Sequence, residues 1–316
     1  MLIYNLIVFI FSLFILVKSA EYAVRYSSRI ARVFHISEFI VSFFIISVIS
    51  VFPEATVSII SAIQGIPEFG LGTLLGSNIA DLSLVFGIVA LFSAKGITIK
   101  SQILKNDFFY LILLLIPVIL GFDGYYSRID GIILIVSSIV FFITLSIESK
   151  MFKKKFNNDK NRKWVKNLFL LIISLGFLIT SGYYTVTYGV FFANDMKIPS
   201  VLVALTIVAI GTCLPELIFS IKAIKLNHNE LALGDILGTV ITDATLIIGI
   251  ISLIHPFVFN PLIIYVTGIM MFIAGVLVII FIRTGKILTK TEGLYLLLFY
   301  ILSLIIGFVV NALVSG

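Results

Sequence analysis

Two Pro-Glu pairs, Pro53-Glu54 and Pro215-Glu216, stand inside long apolar stretches where carboxylates are least expected. An ionised carboxylate is costly in hydrocarbon unless it is paired or coordinated. Each proline also removes an amide donor and crowds the carbonyl four residues earlier, that of Ile49 or Gly211. A backbone oxygen freed at membrane depth must be met by protein, water or an ion. A bound cation answers both demands. Carboxylates and carbonyls are hard oxygen donors of the kind that calcium gathers in sets of about six to eight, whereas zinc or copper would favour His and Cys. His35, His228 and His255 fall at the ends of apolar stretches, and Cys213 is the sole cysteine, so no internal disulfide can form.

Further oxygen donors recur nearby in sequence. Ser77 and Asp81 stand four apart and share a helix face, as do Thr239 and Asp243. Gly72 and Gly76, like Gly234 and Gly238, have the small-xxx-small spacing that lets helices approach closely. Packing these around the kinked segments would gather Glu54, Asp81, Glu216 and Asp243 with hydroxyls from Ser50, Ser77, Thr212 and Thr239. Crowded carboxylates repel one another unless cations or protons neutralise them, so metal binding could release protons. Glu68 and Glu230 open apolar stretches and read as helix N-terminal residues. Asp235 and Glu21 align with Thr73 and Tyr183 and are left outside the primary site.

The elements that must position these residues follow from composition. Hydrophobic residues make up 60% of the chain and charged ones 12%, with a mean hydropathy of +1.20, which excludes a water-soluble fold. Ten apolar spans are expected near 2–24, 39–63, 69–92, 108–121, 129–147, 164–192, 200–221, 231–254, 262–282 and 294–314. Their unbroken apolar character predicts helices rather than a barrel. The first lacks the basic start and cleavage signal of a leader and reads as a retained span.

The net charge of +6 is sorted by loop and does not signal nucleic acid. Arg25, Arg29, Arg32, Lys95, Lys100, Lys105, Lys222, Lys225, Arg283, Lys286 and Lys290 fall in one set of loops, together with a cluster from Lys150 to Lys166. The other set holds only Arg128 and Lys197. That asymmetry predicts a multi-pass cell-membrane protein with both termini extracytoplasmic.

Sliding the chain against itself by 162 positions, the distance from Glu54 to Glu216, also pairs Ser58 with Ser220, Glu68 with Glu230, Gly72 with Gly234, Gly76 with Gly238, Asp81 with Asp243 and Gly87 with Gly249. Arg128, Asp130 and Gly131 meet Lys290, Glu292 and Gly293. An odd number of spans per copy would invert the second copy. The fold class expected is therefore an all-α membrane protein of two inverted five-helix repeats, residues 1–148 and 164–316, joined by a basic cytoplasmic linker at 149–163. Transporters of this design bind their substrate near the midplane between repeats.

With those residues in view, the chain resembles the sodium/calcium exchanger family of cation/calcium antiporters over essentially its full length. Residues 209–216, Ala-Ile-Gly-Thr-Cys-Leu-Pro-Glu, are similar to the family's first signature, and residues 76–81, Gly-Ser-Asn-Ile-Ala-Asp, to its second. The resemblance implies a central calcium position flanked by sodium positions, with Glu54 and Glu216 as principal calcium ligands. Ser50, Thr212, Ser77, Asp81, Thr239 and Asp243 would complete the calcium and sodium sites. Spans one and six would slide across a rigid core.

The family's signature usually reads Gly-Thr-Ser-Leu-Pro-Glu. Here the first copy reads Ile49-Ser50-Val51-Phe52-Pro53-Glu54, and Cys213 replaces the serine of the second. These lost hydroxyls keep proton/calcium exchange by the same fold open as an alternative to exchange of Ca²⁺ for Na⁺. No cofactor is expected beyond the transported ions, and the partners are those ions and the bilayer, with a monomer allowed. An enzyme is not expected: intramembrane aspartyl proteases also use a Gly-Asp pair, but Ala232 stands where they need glycine before Leu233-Gly234-Asp235. A passive channel would line its pore with acidic rings, which single acids on broken helices do not resemble.

Overall fold

A peptide chain in lipid must close its own backbone hydrogen bonds, and this one does so in long helices. The computed structural model describes residues 1–33, 50–93, 96–98, 107–149, 164–225, 229–285 and 287–315. The first part of the second expected span, the basic linker beyond residue 149, His35 and His228 lie outside the described residues. The helices run in the order α1 (Leu2–Val33), α2 (Phe52–Ile63), α3 (Pro67–Phe92), α4 (Asp107–Leu120) and α5 (Arg128–Ser149). They continue with α6 (Trp164–Met196), α7 (Ser200–Lys225), α8 (229–254), α9 (261–285) and α10 (Lys290–Ser315). Among the described residues seven of these (α1, α3 and α6 to α10) are long and apolar enough to cross a membrane, while α2 and the apolar part of α4 are shorter.

Burial sorts centre from rim. The most apolar windows of α3 and α8 are each 83% buried, against 28% in α10, so α3 and α8 form the middle of the bundle. The outer faces carry exposed Phe11, Phe177, Leu298 and Ile305, side chains suited to acyl chains. At the rim α1 and α6 lie side by side. Asn5 Nδ2 donates to Asp195 Oδ2 at 2.8 Å and Thr185 Oγ1 to Ser12 Oγ at 3.1 Å. A separate apolar cluster that includes Phe9, Leu16, Phe69, Val186 and Val208 seats this pair on the centre.

Several local features recur at the offset of 162. The helix breaks at Val51 and at Cys213, and Pro53 and Pro215 fall in the first turn of the segment that resumes. The α-helical winding of α3 loosens to a π-helix at Ala80–Val85, and that of α8 at Thr242–Ile247. α5 and α10 open on reciprocal capping boxes. Ser127 N donates to Asp130 Oδ2 at 2.8 Å while Asp130 N donates to Ser127 Oγ at 3.2 Å. Likewise Thr289 N donates to Glu292 Oε2 at 2.7 Å and Glu292 N to Thr289 Oγ1 at 3.3 Å.

Short antiparallel strand pairs, which no sequence feature announced, add to the all-α expectation. β1 (Ile97–Thr98) pairs with β4 (Ile287–Leu288), and β2 (Tyr125–Tyr126) with β3 (Phe257–Val258). Each ladder joins a connection in the first half of the chain to one in the second.

Glycines set the closest helix crossings. A Cβ on Gly87 would lie 2.8 Å from Gly293 O, and one on Gly131 would lie 2.8 Å from Gly249 O. Gly87→Val is therefore expected to force α3 from α10 and cost about 1–3 kcal/mol of stability, read as a lower thermal midpoint of the detergent-solubilised protein. Gly176→Ala on α6, where an added Cβ meets nothing within 4 Å, should leave that midpoint unchanged or raise it slightly.

Candidate functional site

The two helix breaks aim the glutamates inward. Resuming the helix immediately before Pro53 and Pro215 places Glu54 and Glu216 in a first turn, where unpaired amides give the helix start a positive character. Both residues are fully buried. Neither oxygen of either carboxylate has a hydrogen-bond partner among the described residues. They are close enough for each charge to act on the other, and the Thr212 side chain lies beside Glu54.

The π-helical segments of α3 and α8 bring in the aspartates. Asp81 opens the widened turn of α3 and Asp243 that of α8, and both are fully buried. A π turn opens the regular spacing of main-chain bonds and is found mostly at functional positions. Asp81 and Asp243 act electrostatically on each other and on Glu54. Both oxygens of Asp81 and Oδ1 of Asp243 lack partners among the described residues. Ser77 Oγ lies 3.3 Å from Asp243 Oδ2 and 3.0 Å from Leu74 O, which ties α3 to α8 at this level.

The remaining sequence-derived donors are also buried here. Thr239 Oγ1 has no partner among the described residues. Thr212 Oγ1 donates to Ala209 O on its own helix at 3.2 Å. Ser50 Oγ donates to Asp235 Oδ1 at 2.8 Å. Cys213, at the break of α7, donates its thiol to Ser77 O at 3.5 Å, so this residue borders the acids and does not merely fill apolar space.

Asp235 is the residue that sequence reasoning left out. It is 2% exposed and acts on Glu54, Asp81 and Glu216. The signal that could have found it is its spacing: Asp235, Thr239 and Asp243 fall four apart and line one face of α8. Glu21 instead pairs with Lys18 at 2.9 Å on the exposed side of α1, and Glu68 is an exposed residue in the first turn of α3. His255 ends α8 as an exposed residue.

Among the described residues no three His, Cys, Asp or Glu side chains converge closely enough to hold a metal unaided. Any ion held here would draw on hydroxyl and main-chain oxygens as well. Chemically the arrangement offers a concentration of acidic groups, and among the described residues no lysine or arginine is found paired with them.

Comparisons with known proteins agree with this architecture. The family described as sodium/calcium exchanger protein matches residues 4–147 and again 166–309. The sodium/calcium exchanger MaX1 of Methanosarcina acetivorans is 27% identical, over 98% of this chain and 99% of its own. The inner membrane protein YrbG of Escherichia coli is 28% identical, over 80% of this chain and 81% of its own. Among solved structures, the sodium-calcium exchanger NCX_Mj soaked with 2.5 mM Na⁺ and 10 mM Sr²⁺ is 27% identical. It matches with a TM-score of 0.68 over 96% of this chain and 98% of that one. Two matched blocks that together span nearly the whole chain, each holding one broken helix with its Pro-Glu pair, establish that the protein belongs to the sodium/calcium exchanger family of membrane antiporters.

Proposed function

We infer that the chain exchanges Ca²⁺ for Na⁺ across a cell membrane by alternating access through the buried acidic centre. The observation that carries this reading is the state of Glu54 and Glu216: four buried carboxylate oxygens with no hydrogen-bond partner among the described residues, one pair from each half of the sequence. Burial without compensation is expensive for such groups, and a transported divalent cation supplies what they lack. Glu54 and Glu216 would ligate Ca²⁺. Asp81, Asp243, Ser50, Ser77, Thr212 and Thr239 would share the calcium and sodium positions, with main-chain oxygens at the helix breaks and π turns completing the set. MaX1, a relative over nearly all of both chains, is itself called a sodium/calcium exchanger.

The architecture proposed to serve this activity is ten membrane crossings in two five-helix repeats of opposite orientation, residues 1–148 and 164–316. The linker at 149–163 would be cytoplasmic and both termini extracytoplasmic. Breaks, π turns and capping boxes that recur at one offset support the duplication. α1 and α6 would slide past the centre to change access.

Proton/calcium exchange remains the second reading, because Val51 and Cys213 stand at the two helix breaks and neither brings a hydroxyl oxygen for sodium. Purified protein in vesicles decides between the two. Calcium uptake driven by an outward sodium gradient, and absent with a pH gradient alone, is the expected result. The reverse dependence would establish proton coupling, and flux under neither gradient would remove both readings. Lys154→Gln, a change in the proposed linker and away from the acidic centre in sequence, should leave uptake within about twofold of the unaltered protein.

A further inference from the structure

Asp235 makes the acidic centre unequal in its two halves. Its Oδ1 accepts the Ser50 hydroxyl at 2.8 Å, across 185 residues of chain. Its Oδ2 has no partner among the described residues although the residue is only 2% exposed. At the offset of 162 the corresponding pair is Thr73 and Thr212, and both of those hydroxyls turn back on their own helices, to Phe69 O at 3.0 Å and Ala209 O at 3.2 Å. One side of the centre thus carries a cross-half bridge ending in a carboxylate, while the other has the uncharged Thr73 at the corresponding position.

We propose that Asp235 is a fifth carboxylate of the cation centre, holding Ser50 through one oxygen and presenting the other to a divalent cation bound near Glu54. The free oxygen, buried and unpartnered, is the group in need of a ligand. Ser50 fixes the carboxylate plane, so the second oxygen cannot rotate away without breaking the bond. This inference rests on the exchange reading above and assigns to it the residue that biases the centre towards divalent ions. A fixed negative charge attracts a divalent ion twice as strongly as a monovalent one at the same distance. Removing it should therefore weaken calcium more than sodium.

The test is equilibrium binding of radioactive calcium to the purified full chain in detergent, with sodium as competitor. Asp235→Asn keeps the shape and can still accept from Ser50, but it lacks the charge; it should weaken calcium binding about tenfold or more. A tenfold loss is about 1.4 kcal/mol, and half of that for a monovalent ion gives about a threefold weaker competition per sodium. Asp235→Glu, which restores the charge, should recover most of the calcium affinity. Asp235→Thr, the residue of the other half, serves as the second charge-removing variant should the Asn form not fold. Ser50→Ala separates the two roles: with the charge kept and the bridge lost, it should weaken calcium less than Asp235→Asn does.

Calcium affinity unchanged in both charge-removing variants, while Glu54→Gln loses binding, would overturn the proposal and leave the exchange reading standing. Equal weakening of calcium and sodium, or damage by Ser50→Ala alone, would reduce Asp235 to a structural bridge and likewise overturn it. Calcium binding absent from the unaltered protein would remove the exchange reading, and this inference with it.

Discussion

Replacing either Glu54 or Glu216 by glutamine is expected to abolish calcium uptake in vesicles, with a loss of calcium affinity of at least about 100-fold. Two unit charges 4 Å apart at an effective dielectric constant of about 20 interact by about 4 kcal/mol, and a divalent ion doubles the figure. Each 1.4 kcal/mol is a factor of ten, so about 100-fold survives after allowance for the lower burial cost of the amide. The same substitution removes a buried charge that has no donor among the described residues. The ion-free variants should therefore be at least as stable as the parent. Thermal unfolding in chelator distinguishes a lost ligand from a misfolded chain: a lowered midpoint together with lost uptake would refute the assignment, as would uptake that persists in both variants.

Calcium itself should stabilise the purified protein strongly. Glu54 and Asp81 lie within range of each other's charges and of those of Glu216, Asp235 and Asp243, and that repulsion is relieved by a bound cation that the unfolded chain does not gather. A ligand at about 100 times its dissociation constant adds about 2.7 kcal/mol to folding stability. The thermal midpoint in detergent should rise by several degrees with calcium and fall back with chelator. The double variant Glu54→Gln, Glu216→Gln should show no such shift. An equal shift in parent and double variant would place calcium elsewhere on the molecule.

Much of this was legible in the sequence because lipid is a demanding solvent. A carboxylate or proline within hydrocarbon needs a cause, so the recurrence of Pro-Glu, of Asp81 with Asp243 and of glycine pairs points to acids that the fold buries together. Hydropathy marked the helices for the same reason. Span ends moved where capping chemistry overrode apolar content: α5 and α10 begin at the capping boxes of Ser127 and Thr289, and α6 runs on to Met196.

What the sequence hid was whatever lacks a local or repeated signal. The π turns depend on how α3 and α8 pack, and no residue type spells them. Two-residue strands are too short to leave a period in the sequence. Asp235 carries no repeat signal, because Thr73 occupies its counterpart position. Its significance comes from Ser50, a partner on a distant helix, which only the folded chain brings within 2.8 Å.

The paired strands have a mechanical consequence. β1 with β4 stitches one connection of the first half to one of the second, and β2 with β3 does the same with the connections that follow α4 and α8. Because α4 separates β1 from β2 along the chain, the stitches sit at opposite ends of that rod. A clamshell motion, with the halves hinging apart at either mouth, would have to tear one of them. α1, α2, α6 and α7 carry neither stitch, so a displacement of those segments would leave both ladders intact.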